Sequence, residues 1–166
     1  MKQLWAPWRM TYVSADQQAV EPGCFICAAR DAVDDELVVE RAELTLTLLN
    51  RFPYSSGHVM VAPLRHVADP RELNGKEGEA MFRGLQRAIG ALTESMHPHG
   101  FNAGLNLGTV AGGSIEHLHL HVVPRWGGDT NFLPVLADVK VIPEHLATTA
   151  AALRSAYQTL AEDQPV

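Results

Sequence analysis

The chain has 166 residues, 46% of them hydrophobic and 19% charged, and a formal net charge of −6 at pH 7. That length suits one domain with a real core, and the acidic balance offers no global positive field to a long DNA or RNA partner. No apolar run approaches bilayer length, and the opening "MKQLWAPWRM" lacks the apolar stretch of a secretory signal. With two cysteines in one CxxC pair, the expectation is a cytoplasmic protein without a disulfide scaffold or membrane partner.

In chain order, residues 1–21 read as an N-terminal arm, with Trp5 and Trp8 placed to anchor it on the core or on a second copy. Stacking of one tryptophan on a base is the competing reading. Cys24 and Cys27 follow Pro22–Gly23 in a tight knuckle suited to two tetrahedral zinc ligands; a redox dithiol or two ordinary half-buried thiols would use the same residues. "ELVVE" and "LTLTLLN" predict two strands around a turn at Arg41–Ala42, and "GHVMVAPL" a third run of strand ended by Pro63. Asp69 and Pro70 read as an N-cap and a first helical residue. From about Glu77 to Met96, Met81, Leu85, Ala88, Ile89 and Leu92 recur at helical spacing, with Gly84 and Gly90 weakening the pattern.

"FNAGLNLG" alternates apolar Phe101, Ala103, Leu105 and Leu107 with Asn and Gly, which predicts a half-buried strand whose glycines leave its open face low. The turn "TVAGG" would pair it with the segment that follows. "VLADVKVI" reads as one more strand, and Pro143 opens a C-terminal helix to about Ala161. Consecutive strands with segregated helices give an α+β fold: a single domain with an antiparallel sheet, a long helix and a C-terminal helix.

The segment "GGSIEHLHLHVVPRWGG" places His117, His119 and His121 at alternate positions. A period of two is strand geometry, so Leu118, Leu120 and Val122 are expected to face a core and the three imidazoles a cavity or solvent. A polar face merely rich in histidine is the bland alternative. Asn106 and Ser114 flank the glycine turn and, with its N–H groups, can donate to phosphate oxygens. Arg125 is a candidate phosphate contact or a solvated strand-end arginine; Trp126 is a candidate ligand contact. His58, His66, His97, His99 and His145 lie outside the triad, and spacing alone leaves open which of them complete a metal site with the cysteines.

"HLHLHVV" fits His-φ-His-φ-His-φ-φ with φ apolar, and "LLN", "GHVMVAPLRH", "NLG" and "PRW" stand in a fixed order around it. In these features, from Cys24 to Trp126, the chain resembles the histidine triad family of nucleotide hydrolases, nucleotidyl transferases and phosphorylases. "LWAPWRM", "AGGS" and "PRWGGD" resemble its bacterial diadenosine tetraphosphate phosphorylases more than its general hydrolases. The resemblance implies a homodimer with an antiparallel sheet, and a structural zinc on Cys24, Cys27, His66 and His117. It further implies His119 as nucleophile, His121 at the α-phosphate or bridging oxygen, His58 supporting that end, and Asn50 on the ribose hydroxyls. By local chemistry alone, His58 also reads as a packed strand-end histidine and Asn50 as a turn asparagine.

A neutral imidazole needs to lose no proton before it attacks phosphorus, and it is aimed if its other nitrogen donates to a backbone carbonyl. The expected reaction is cleavage of a dinucleoside polyphosphate through a nucleotidyl-histidine, with magnesium free to arrive with the nucleotide. Hydrolysis of dinucleoside polyphosphates or phosphoramidates is the rival activity. A non-catalytic adenylate-binding module and a nucleic-acid-binding zinc protein are rivals of other classes. Gly113 favours phosphorolysis: hydrolases of this type often carry glutamine there, and glycine leaves room for inorganic phosphate beside His119. The alternative is a turn glycine with positive φ.

Overall fold

The computed structural model describes residues 23–113, 115–129 and 144–162. Its frame is a five-stranded antiparallel sheet of β1 (Val38–Arg41), β2 (Thr45–Leu49), β3 (Val59–Pro63), β4 (Gly100–Leu105) and β5 (Leu120–Arg125), in the order β1-β2-β3-β5-β4. Helix α1 (Phe25–Asp31) precedes the sheet, α2 (Gly75–Met96) connects β3 to β4, and α3 (Leu146–Glu162) follows β5. The two predicted N-terminal strands, the β3 run, the long helix and the C-terminal helix are all present. The predicted strand at "VLADVKVI", the opening of the last helix at Pro143 and the arm of residues 1–21 lie outside the described residues.

Alternation sorts the strands onto two faces. Leu49, Val59, Val61 and Val122 are buried against Ala88, Leu92, Leu153 and Tyr157 of α2 and α3, which makes the larger core. Val38, Leu46, Leu48, Met60 and Ala62 take the other face and pack with Ile26 and Ala29 of α1. Leu48 pairs with Met60, Met60 with His121, and His121 with Gly104, so one row of this second face runs from apolar cover to an imidazole and then to a bare backbone. A Cβ at Gly104 would meet nothing within 4 Å, as expected of a low, open face.

Three local results differ from the pattern reading. Asp69 and Pro70 open only a 3-10 turn (Pro70–Glu72); α2 has its own N-cap, Asn74, in a reciprocal capping box with Glu77, which Arg65 grips at 2.8 and 2.7 Å. Strand β4 is an edge strand and mostly exposed from Asn102 to Leu105, rather than half-buried. Strand β5 begins at Leu120, so His117 and His119 precede it. Leu118 N–H bonds to Val67 O at 2.6 Å, which shows the segment before β5 pairing with the chain that follows β3.

Candidate active site

Four metal-capable side chains meet where α1, the end of β3 and the approach to β5 converge. Cys24 is the N-cap of α1 and Cys27 lies in its first turn. Cys24 Sγ is 3.2 Å from His117 Nδ1, Cys27 Sγ is 3.5 Å from the same atom, and Cys27 Sγ is 3.3 Å from His66 Nδ1. The ligand atoms of Cys24, Cys27, His66 and His117 all lie within 4.8 Å of one another, so this group could bind a metal ion. Bonds of about 2.0–2.3 Å from a tetrahedral centre to nitrogen and sulfur put neighbouring ligand atoms about 3.5 Å apart, close to the three sulfur–nitrogen separations above. His117 donates its Nε2 hydrogen to Pro63 O at 2.8 Å, which leaves the Nδ1 lone pair toward the thiols. Burial also holds His117 below the ordinary histidine pKa, favouring the neutral ring that a metal needs. His97, a left-handed helix cap, and His99, which accepts from Gly127 N–H at 2.9 Å, take no part.

The remaining triad rings form a second cluster. His119 Nδ1 is 2.7 Å from the His117 carbonyl, so Nδ1 carries the hydrogen and Nε2 holds a lone pair. Its ring meets that of His121 edge-on, with centroids 4.7 Å apart. His121 Nδ1 is 2.9 Å from His58 Nε2, and its Nε2 is 3.3 Å from the Asn106 amide. Tyr54 N–H donates to His58 Nδ1 at 3.0 Å, and Asn50 Nδ2 stands 3.4 Å from the same nitrogen. All three triad rings and His58 are buried, His58 completely. Burial first, and then His119, lower the His121 pKa to about 4. His121 is therefore neutral near pH 7.

The structure thus brings together His119, His121, His58, Asn50 and Asn106, and separately the cysteine–histidine cluster. Ser114 lies outside the described residues. Arg125 is held by two neighbouring side chains. Its Nε and Nη2 bind Asp129 at 2.5 and 2.9 Å, and its Nη1 binds Asn102 Oδ1 at 2.7 Å. Trp126 donates its backbone N–H to Asp129, closing the turn after β5. Gly113 is not among the positive-φ residues; Gly108 and Gly112 are. A Cβ at 113 would stand 2.7 Å from Asn106 O and 3.0 Å from Gly108 O, so backbone already fills the place of a side chain there. Sequence reasoning missed Tyr54, whose ring stacks on His58 with centroids 4.7 Å apart and tilts toward His121 at 5.9 Å. An aromatic four residues before a strand-leading histidine is the only trace it leaves.

The HIT domain profile matches residues 31–128, more than half of the chain and the whole segment from β1 to the turn after β5. The chain belongs to the HIT domain family. It is 41% identical over 165 residues, 95% of this chain and 85% of the relative, to a protein of Mycobacterium tuberculosis named AP-4-A phosphorylase. Over 83 residues, 50% of this chain and 56% of the relative, it is 32% identical to bis(5'-adenosyl)-triphosphatase of Dictyostelium discoideum. Among solved HIT structures, a zinc-bound histidine triad family protein of Mycobacterium smegmatis superposes with a TM-score of 0.71 at 27% identity, covering 86% of this chain and 98% of that one. The antiparallel sheet and helices are therefore those of the family.

Proposed function

We propose that the chain is a dinucleoside polyphosphate phosphorylase acting through a nucleotidyl-histidine, with diadenosine tetraphosphate as substrate. The observation that carries this is the His119–His117 carbonyl bond, which fixes the tautomer and leaves Nε2 as an oriented lone pair beside a neutral His121. The name of the Mycobacterium tuberculosis relative supports the substrate class.

In this reading His119 Nε2 attacks the α-phosphorus, a P–N bond forms, and the bond to the bridging oxygen breaks, releasing ATP. An oxygen of inorganic phosphate then attacks the same phosphorus, the P–N bond breaks, and ADP leaves with the imidazole restored. His121 donates a hydrogen bond from Nε2 to the α-phosphate or bridging oxygen, and His58 orients it. Asn50 serves the ribose, while Asn106, Ser114 and the N–H groups of the 108–113 turn receive the phosphates. Zinc in the Cys24–Cys27–His66–His117 cluster is structural; magnesium, a hard cation that prefers oxygen ligands, would have to come with the nucleotide rather than enter this site.

The chain acts as a homodimer, a reading supported by the exposed edge strand β4 and by exposed Leu105, Leu107 and Val110 beside it. We place it in the cytoplasm; among the described residues no helix is long and apolar enough to cross a membrane.

Product analysis tests the reading. With diadenosine tetraphosphate and phosphate the expected products are ADP and ATP, whereas hydrolysis gives AMP and ATP. Equal rates of AMP formation with and without phosphate would refute phosphorolysis.

A further inference from the structure

The cysteine–histidine cluster takes His66 from the stretch of chain just past β3, and that stretch is anchored unevenly. Leu64 is tied through both main-chain groups. Its N–H bonds to Leu44 O at 2.9 Å, and its carbonyl accepts from Arg30 Nη1 of α1, the helix that starts at the cysteines, at 2.8 Å. Val67 is tied again, its carbonyl taking the Leu118 N–H at 2.6 Å. Between these anchors, among the described residues, neither Arg65 nor His66 makes a backbone–backbone hydrogen bond. His66 is also the most exposed of the four ligands. Its ring meets Cys27 Sγ at 3.3 Å and the His117 ring edge-on, with centroids 4.8 Å apart, so these contacts are all with the cluster itself.

The Arg65 side chain bridges the gap. Its Nε and Nη2 grip the two carboxylate oxygens of Glu77 at 2.8 and 2.7 Å, and Nη2 also reaches Glu72 O at 2.7 Å. A two-point fork of this kind fixes direction as well as distance, which a single contact does not. Glu77 is itself held in place: its side chain is 8% exposed, and it accepts the Asn74 N–H at 2.9 Å at the start of α2. Burial binds that carboxylate to its cation, because removing either partner leaves an uncompensated charge. The residue next to His66 is thereby fastened to the beginning of the long helix.

Resting on the reading of the cluster as a zinc site, we infer that Arg65 and Glu77 are positioning residues for it, their fork holding the peptide on which His66 is presented to the metal. Neither is a ligand. Their effect falls on metal affinity, and it is separable from the stability of α2.

Two substitutions at the same helix start make that separation. Glu77→Gln keeps an oxygen for the Asn74 N–H, so the cap survives, but its amide nitrogen cannot accept from Arg65. Asn74→Ala removes the side chain that accepts the Glu77 N–H at 3.0 Å and leaves the fork whole. Zinc and cobalt(II) affinities of the full chain are measured by competition with a chromophoric chelator, beside melting temperatures. Glu77→Gln is expected to bind both ions at least about tenfold more weakly, the loss typical of removing a group that orients a ligand. Its cobalt complex should also show a weaker visible band, as an imidazole leaves the tetrahedral set. Asn74→Ala should lower the melting temperature while keeping wild-type affinity and spectrum. Arg65→Met, which opens the fork from the other side and leaves Glu77 in the cap, should reproduce Glu77→Gln. Wild-type affinity and spectrum in both fork variants would overturn the positioning role, as would an affinity that falls with melting temperature in Asn74→Ala too. Failure of wild type to bind either ion would instead overturn the zinc reading.

Discussion

His58 Nε2 stands 2.9 Å from His121 Nδ1, and the hydrogen between them belongs to His58. Tyr54 N–H already occupies His58 Nδ1, so the His58 proton sits on Nε2 and is donated onward. His121 therefore accepts at Nδ1 and carries its own hydrogen on Nε2, which requires Asn106 to turn its amide oxygen, not its nitrogen, toward that atom. His119 has the opposite tautomer, with hydrogen on Nδ1. Long-range ¹⁵N–¹H spectra at neutral pH should show these two different tautomers side by side. His58→Ala should abolish the difference at His121 and slow turnover by about 10–100-fold, the range typical of losing an orienting partner.

Proton linkage at His121 gives a stability prediction. Its folded pKa is lowered to about 4 from the ordinary 6.5, so below 6.5 the unfolded chain takes up a proton that the folded chain refuses. The stability contributed by the neutral ring is complete above 6.5 and is lost as pH falls toward 4. The melting temperature of wild type should drop relative to His121→Asn across that window. An unchanged difference between the two proteins from pH 7.5 to 4 would contradict the buried neutral ring.

Replacing His119 removes the only imidazole assigned to covalent chemistry. His119→Ala should lose turnover by about a thousandfold or more while keeping its melting temperature within a few degrees. Rapid acid quench should trap an acid-labile nucleotide on wild type alone.

Metal analysis should find one zinc per chain, released by strong chelators. Cys24→Ser should reduce both zinc content and melting temperature, and His97→Ala, on the far cap of α2, should alter neither. Protein purified from zinc-replete cells that carries no metal and two freely titrating thiols would show that the cluster is only a packing of thiols and imidazoles.

Gly113→Gln is expected to act on the fold before it acts on the product. A Cβ there stands 2.7 Å from Asn106 O, and the backbone must shift to admit it, at a cost of about 1–3 kcal/mol. Thermal unfolding should detect that loss. Any move toward AMP must then be judged after correcting for displacement of Asn106.

Much of this architecture is legible in the chain because periodicity reports burial directly. The alternation of "LTLTLLN" and the apolar stripe of α2 each mark an element found in place. The triad alternation brought out the neighbouring rings of His119 and His121 but overran the strand, because His117 turns aside to the thiols while Leu118 bonds to Val67. Gly84 looked like a defect in a helix; it is where α2 comes so close to β3 that a Cβ would lie 2.6 Å from Val61. Which histidines join the cysteines was not legible from spacing, since His66 and His117 are brought in by β3 and the approach to β5 from 39 and 90 residues beyond Cys27. The pairing of Arg125 with Asp129 and the Tyr54 N–H bond depend on how loops fold back, and a loop leaves no period in the sequence.

One residue gives its ring to the cysteine cluster and its backbone oxygen to the neighbouring ring that we propose as the nucleophile: His117. The chain has no slack between those two duties, because they belong to a single peptide unit and its side chain. A metal ion held by the cysteine cluster would thus bear on the aim of His119 Nε2, the nitrogen we propose as nucleophile. Its removal should appear in the rate as misalignment, with kcat falling before the sheet unfolds.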